Sequence, residues 1–212
     1  MLALTVGLGI WQLQRLQWKL GILAQIDRGE TEPPLPLTGN PGPFRRVVAT
    51  GQFGPQVGRY GAEVRSTATG EAMGSQVLSP LIRPGKDTLI VDRGWAPDDM
   101  PSPPPTGAVS VEGYIHPSEH PFLFGINDDP VAKRFVSLDP VAIARAFGLQ
   151  HVAPFALVAL GRPGAVPEPA VHLPRPPNDH LSYAITWFGL AAALLVIFCV
   201  YVRQTIRPQE RP

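Results

Sequence analysis

Chemically equipped residues concentrate at positions 178–188, where Asn-Asp-His-Leu-Ser-Tyr-Ala-Ile-Thr-Trp-Phe runs directly into an uncharged apolar segment. On a helix, residues three, four and seven apart share a face, so His180, Tyr183, Ala184, Trp187 and Ala191 form one stripe. An imidazole heading a stripe of aromatic and small residues suits a flat apolar cofactor ligated from one side. The same residue types also gather at a bilayer surface, because each joins an apolar body to a polar tip. Spacing alone leaves both readings open. A second constellation, His116-Pro117-Ser118-Glu119-His120, offers two imidazoles and a carboxylate, acceptable zinc or copper ligands. Pro117 and Pro121 put it in a loop, without the fixed i, i+4 geometry of a helix. His151 and His172 stand alone and read as exposed or satisfied imidazoles.

Other chemistry is missing. The single cysteine, Cys199, lies inside the apolar run, which excludes an internal disulfide or a cysteine-based metal cluster. There is no Gly-rich phosphate loop after a strand, no nucleophile elbow and no His-Glu-x-x-His helix, so the common hydrolase and nucleotide motifs are missing, which lowers the expectation of an enzyme without abolishing it. Asp92-Arg93-Gly94-Trp95 follows the apolar Leu89-Ile90-Val91. It reads as a structural corner with Asp92 paired to Arg93, or as a surface presented to a partner.

The elements that must position these residues follow from hydropathy and period. A run of about 20 apolar residues crosses a hydrocarbon core of about 30 Å, so residues 178–203 are expected to be a transmembrane helix and 204–212 its tail. Residues 1–19 form a shorter apolar segment in which Trp11 and Trp18 bracket Arg15 and abut Lys19, as an interfacial belt would. Its charges follow the apolar stretch, the reverse of a secretory signal peptide, so it is read as a first transmembrane helix whose opening turns can lie upstream of Met1. Residues 20–36 read as a linker. Between 37 and 177, Arg46 to Phe53 and Val109 to Ile115 alternate with period two, and Val77 to Ile82, Thr88 to Asp92 and Phe155 to Leu160 are short apolar runs bounded by turn residues. All five read as strands. One soluble helix is expected from Asp139 to Phe147, with Asp139 as cap, Pro140 in the first turn and Gly148 at the end. The fold class is thus a membrane protein: two transmembrane α-helices flanking a mainly antiparallel β (α+β) extramembrane domain, a small sheet or open barrel.

Composition agrees. The 212 residues are 44% hydrophobic and 17% charged with a formal net charge of +1, which provides no basic field for nucleic acid. Arg203, Arg207 and Arg211 after the second span put the carboxyl terminus on the cytoplasmic or matrix side, although Arg15, Lys19 and Arg28 vote the other way. The central domain then faces the periplasm or intermembrane space.

Three blocks together resemble the Surfeit locus protein one family: Gly9 to Lys19 at the first span, Val91-Asp92-Arg93-Gly94-Trp95-Ala96-Pro97 in the domain, and Asn178 to Phe188 at the second span. The resemblance implies an assembly factor of cytochrome c oxidase without turnover chemistry. It would be a multi-pass protein of the bacterial inner membrane, or of the mitochondrial inner membrane in a eukaryote. It would hold or deliver heme a while oxidase subunit I matures, with heme a synthase and subunit I as partners besides the lipid bilayer. The alternative is a docking or scaffold factor with no cofactor. Carried over by position, His180 matches the histidine associated with heme a and becomes the axial-ligand candidate, with Tyr183 and Trp187 beside it. The first-span motif contributes Trp11, Arg15 and Trp18, expected on one face and able to pack beside the second span. Arg15 is expected to meet a heme propionate or a lipid headgroup. Asp179 stands where the family usually repeats asparagine, and Phe135 and Val136 where aromatics with a polar edge are usual.

Overall fold

The computed structural model describes residues 1–67, 70–119 and 127–206. In chain order the elements are α1 (Leu2–Thr31), β1 (Leu35–Pro36), β2 (Arg46–Phe53), β3 (Gly58–Thr67), β4 (Gly70–Ile82), β5 (Thr88–Pro97), β6 (Ala108–Pro117), β7 (Arg134–Phe135), α2 (Pro140–Ala146), β8 (Val152–Ala159) and α3 (His180–Ile206). Two compact units result: Gln25–Pro174, and Met1–Ala24 together with the chain from Arg175 onward. The expected class holds, with a long helix at each end of the chain and a β domain between them.

In the β unit the strands run β1-β2-β6-β8-β5-β4-β3-β7, and β2 also pairs β4 through Gln52 opposite Ile82 and Phe53 opposite Leu81. That extra pairing closes β2, β6, β8, β5 and β4 into a ring, so where a small sheet or open barrel was expected the structure has a closed barrel. Within the ring all pairs are antiparallel except β5 with β8, and the flanking pairs β1–β2 and β3–β7 are also parallel. Period two then selects the core. Val47 and Ala49, Leu89 and Val91, and Phe155, Leu157 and Ala159 all point inward with Leu81 and Ile115.

The opposite face of the ring is also covered. Ile143 and Ala144 of α2 are buried, and Phe147 meets Phe135 edge-on with centroids 6.3 Å apart. α2 begins and ends as expected. The Asp139 carboxylate accepts from Val141 N at 2.9 Å, and Gly148, at φ +71°, lets Leu149 N return to Ala144 O at 2.9 Å.

Two readings are corrected. Helix α1 continues through residues 20–31, where a linker was expected, because Ile22, Leu23 and Ile26 extend its buried spacing and no proline intervenes before Pro33. Its last turns belong to the β unit: Ile26 is buried, Arg46 donates to Glu30 O at 3.2 Å, and the Glu30 carboxylate takes Leu173 N at 3.0 Å and lies 2.9 Å from His172 Nδ1. That His172 contact chiefly holds the Glu30 carboxyl below its ordinary range.

Asp92 and Arg93 do not pair. As neighbours on β5 they face opposite ways. The Arg93 guanidinium donates to Ser102 O at 2.9 Å and Pro103 O at 3.1 Å, while Asp92, 4% exposed, turns to the outer face and takes Gly94 N at 2.9 Å. Gly94 itself has φ +115°, and a Cβ there would collide with the Glu168 carbonyl. That close approach allows Trp95 and Glu168 to exchange backbone hydrogen bonds of 2.8 and 2.7 Å.

Candidate functional site

The helical unit pairs α1 with α3. On α1, Thr5, Gly9, Gln12 and Leu16 make one buried or half-buried series, with Val6, Leu8 and Lys19 also half-buried, and on α3 the series is His180, Ala184, Trp187, Ala191 and Leu194, with Val202 beyond it. Both series step by alternating fours and threes, the seam of two helices packed along their length. Small residues sit where the backbones come close. Gly9 lies under the Phe188 ring, where an added Cβ would be 2.7 Å from its carbons. His180 meets Gln12 and Phe188 meets Gly9, so the helices run in opposite directions.

At the polar start of α3, His180 Nδ1 lies 2.8 Å from Gln12 Oε1. An amide oxygen only accepts, so Nδ1 donates this bond, and in the neutral ring the lone pair is then on Nε2. This is the tautomer an imidazole needs to bind a metal through Nε2, with the second nitrogen anchored by a neighbour.

The remaining sequence-predicted residues distribute unequally. Trp187 is half-buried beside Ala184 in the seam, whereas Tyr183 is 57% exposed and leaves the stripe in which the sequence placed it. Trp11, Arg15 and Trp18 do share a face. The Arg15 guanidinium lies 4.7 Å from the Trp18 ring centroid and 5.9 Å from that of Trp11. That face is outward, however, with Trp11 48% and Trp18 55% exposed, and it lies about 90° round the helix from Gln12. The three do not pack beside α3 as expected; they form a cationic, aromatic patch next to the seam.

Sequence reasoning missed Gln12. Its signal was a glutamine inside an apolar run, three residues after a glycine, at a position that continues the seam spacing of Thr5 and Gly9.

The loop cluster fares differently. His120 lies outside the described residues. His116 Nδ1 is 2.8 Å from Pro117 O and its Nε2 is 3.7 Å from Glu119. Among the described residues no three His, Cys, Asp or Glu side chains gather as a metal site. His151 is exposed at φ +54°, and His172 is occupied by Glu30.

A sequence profile described as the SURF1 family matches residues 1–192. The chain belongs to the SURF1 family. A SURF1-like protein of Rickettsia felis is 29% identical over 221 residues, covering 96% of this chain and 94% of its own. Surfeit locus protein 1 of Arabidopsis thaliana is 30% identical over 274 residues, spanning 99% of this chain and 77% of the plant protein. That of Xenopus tropicalis is 28% identical over 225 residues, with 92% and 71% covered. The SURF1 assignment thus spans both terminal helices and the barrel. Within this SURF1 chain, α3 is long and apolar enough to anchor it in a membrane, with a mean hydropathy of 2.4 in its most apolar window between His180 and Thr205.

Proposed function

We propose that this SURF1 chain is an inner-membrane assembly factor of cytochrome c oxidase that holds heme a on its helix pair, with His180 as axial ligand. The observation that carries the reading is the His180 to Gln12 contact of 2.8 Å, which fixes the ring and leaves Nε2 free at the polar end of an apolar helix. A heme, when bound, supplies an iron that accepts the imidazole and a broad apolar surface that must be kept from water. Trp187 and the small residues Ala184 and Ala191 offer apolar walls, and Tyr183 an aromatic edge. Arg15, whose described contacts are with two indole rings and not with a carboxylate, is available to a propionate. One-sided ligation by a half-exposed histidine suits a carrier, which must release what it holds.

In this reading α1 crosses the membrane with α3, and the barrel faces the periplasm, or the intermembrane space in a mitochondrion. The barrel meets oxidase subunit I or heme a synthase. The test is to produce the protein together with a heme a synthesis pathway and record the absorption spectrum of purified wild type and His180→Ala. Wild type is expected to carry heme a and the variant to lose it or shift its band. An unchanged spectrum removes His180 from the role, and colourless wild-type protein leaves a docking factor without cofactor.

A further inference from the structure

On the outer face of the barrel, β3, β5 and β6 contribute to a cavity of about 240 Å³ lined among others by Tyr60, Arg65, Asp92, Tyr114, His116 and Glu168. The Asp92 carboxyl is 4% exposed, yet among the described residues its one hydrogen-bond donor is Gly94 N at 2.9 Å. A carboxylate has room for about four donors, so most of its accepting capacity is turned on the cavity. Tyr114 is 6% exposed and its hydroxyl has no hydrogen-bond partner among the described residues. The spare accepting capacity of Asp92 and the unpartnered Tyr114 hydroxyl line the same space, which describes a place for a ligand.

Charge decides what kind. Arg65 is the guanidinium nearest the cavity, but it is committed to Glu63 at 2.8 Å and Glu168 at 3.7 Å and lies 5.2 Å from the Trp95 ring centroid. The Tyr60 hydroxyl donates to Glu119 at 3.0 Å, and His116 Nε2 lies 3.7 Å from the same carboxylate. With Arg65 spent on Glu63 and Glu168, Asp92 is the lining acid left without a cation in contact, so the cavity favours a cation over an anion. Among the described residues a metal ion would find no set of three ligating side chains. What fits is a compact monovalent cation with several N–H donors and a short apolar stem.

We propose that this cavity binds a primary ammonium group, accepted by the Asp92 carboxylate and the Tyr114 hydroxyl between the two phenol walls. An ammonium offers three donors, matching the acceptors left open, and phenol rings favour a cation beside them. The cavity volume accommodates a butyl-length stem, whether a small amine or the side chain of a lysine on a partner protein. Burial pushes the Asp92 carboxyl up to about 7 against the opposing pull of Gly94 N–H and Arg65, so the empty site is partly protonated at neutral pH. Burial together with Asp92 and Glu119 also raises the Tyr114 phenol, which stays neutral. Ammonium binding then requires Asp92 to lose its proton. Affinity should rise from pH 6 to pH 8, with proton release at the lower pH. The proposal is independent of the heme reading.

The test is calorimetric titration of the full chain in maltoside detergent with n-butylammonium, in phosphate and in HEPES. Saturable binding with proton release at pH 6.5 and little at pH 8.5 is expected. Asp92→Asn should weaken it by about ten- to a hundredfold, the usual range for losing a hydrogen bond to a charged group. Tyr114→Phe should weaken it about three- to tenfold with the fold intact by circular dichroism. N-acetyl-lysine methylamide separates the sources: tighter binding than n-butylammonium identifies a partner's lysine, weaker binding a small amine. No saturation up to about 20 mM, affinity unchanged in Asp92→Asn, or equal binding of butyrate would overturn the proposal.

Discussion

Replacing Gln12 with Leu separates a packing role in the seam from an orienting role on His180. Gln12 is 9% exposed and its carbonyl oxygen lies 2.8 Å from His180 Nδ1. Leucine has similar volume and better helix propensity, so α1 should keep its place. What disappears is the acceptor that fixes the tautomer and the ring plane. Removing such a partner typically lowers metal affinity by about 10- to 100-fold, or about 1.4–2.8 kcal/mol. The assay is titration of apo protein in maltoside detergent with hemin, following the absorption of the ligated porphyrin, for wild type, Gln12→Leu, His180→Ala and the double variant. If Gln12 acts through His180, its loss costs that factor in wild type and almost nothing once the imidazole is gone. An equal penalty in both backgrounds would place its effect in packing and refute the orienting role.

Three further outcomes follow from the barrel. Gly94→Ala forces a side chain into φ +115° against the Glu168 carbonyl and breaks the paired Trp95–Glu168 hydrogen bonds, for about 3–5 kcal/mol in all, read as a thermal midpoint lower by about 10 °C. Because burial raises the Asp92 pKa to about 7, the folded state binds the extra proton, so Asp92 favours folding at low pH and this contribution is lost as pH rises from about 4 to about 7. Asp92→Asn should therefore raise the melting temperature at pH 8 and flatten its fall across that window. Glu30 has the opposite sign: its lowered pKa, held chiefly by His172, gives stability that is present above about 4.3 and lost as pH falls through the folded value. Glu30→Gln should remove that acid limb from the unfolding profile, a change of at most about 1 kcal/mol given the exposure of His172.

The parts of the fold legible in the sequence were those where one face is buried. Arg46 to Phe53 and Val109 to Ile115 alternate because β2 and β6 have one side in the core, and the α2 cap was readable because Asp139, Pro140 and Gly148 each answer a local backbone need. β3 was missed for the converse reason. It is exposed over most of its length and broken by Gly61, so no period marks it. Barrel closure was not legible either, since it depends on a short contact between β2 and β4 that only the register of distant strands creates. At the site, the His180 stripe was readable as helical spacing, but which of its members face α1 was not. Tyr183 and Trp187 look alike in sequence, and the partner helix alone puts one outside and the other in the seam.

A polar side chain in the seam of two apolar helices has to be explained by what it bonds. Thr5 answers to its own helix, donating to Leu2 O at 2.9 Å, and would cost the seam little wherever it stood. Gln12 is too long for that and reaches across to His180 instead. Apolar packing would be served as well by leucine, so the amide contributes only through the ring it holds. That ring is half-exposed, with one nitrogen engaged and the other carrying an unshared pair away from the bond. A hydrogen bond built solely for stability would use both partners inside the seam. Here the outer nitrogen is left available at the polar start of an apolar helix, and in the proposed heme-holding role that is the end at which an amphipathic, iron-bearing ring would be met.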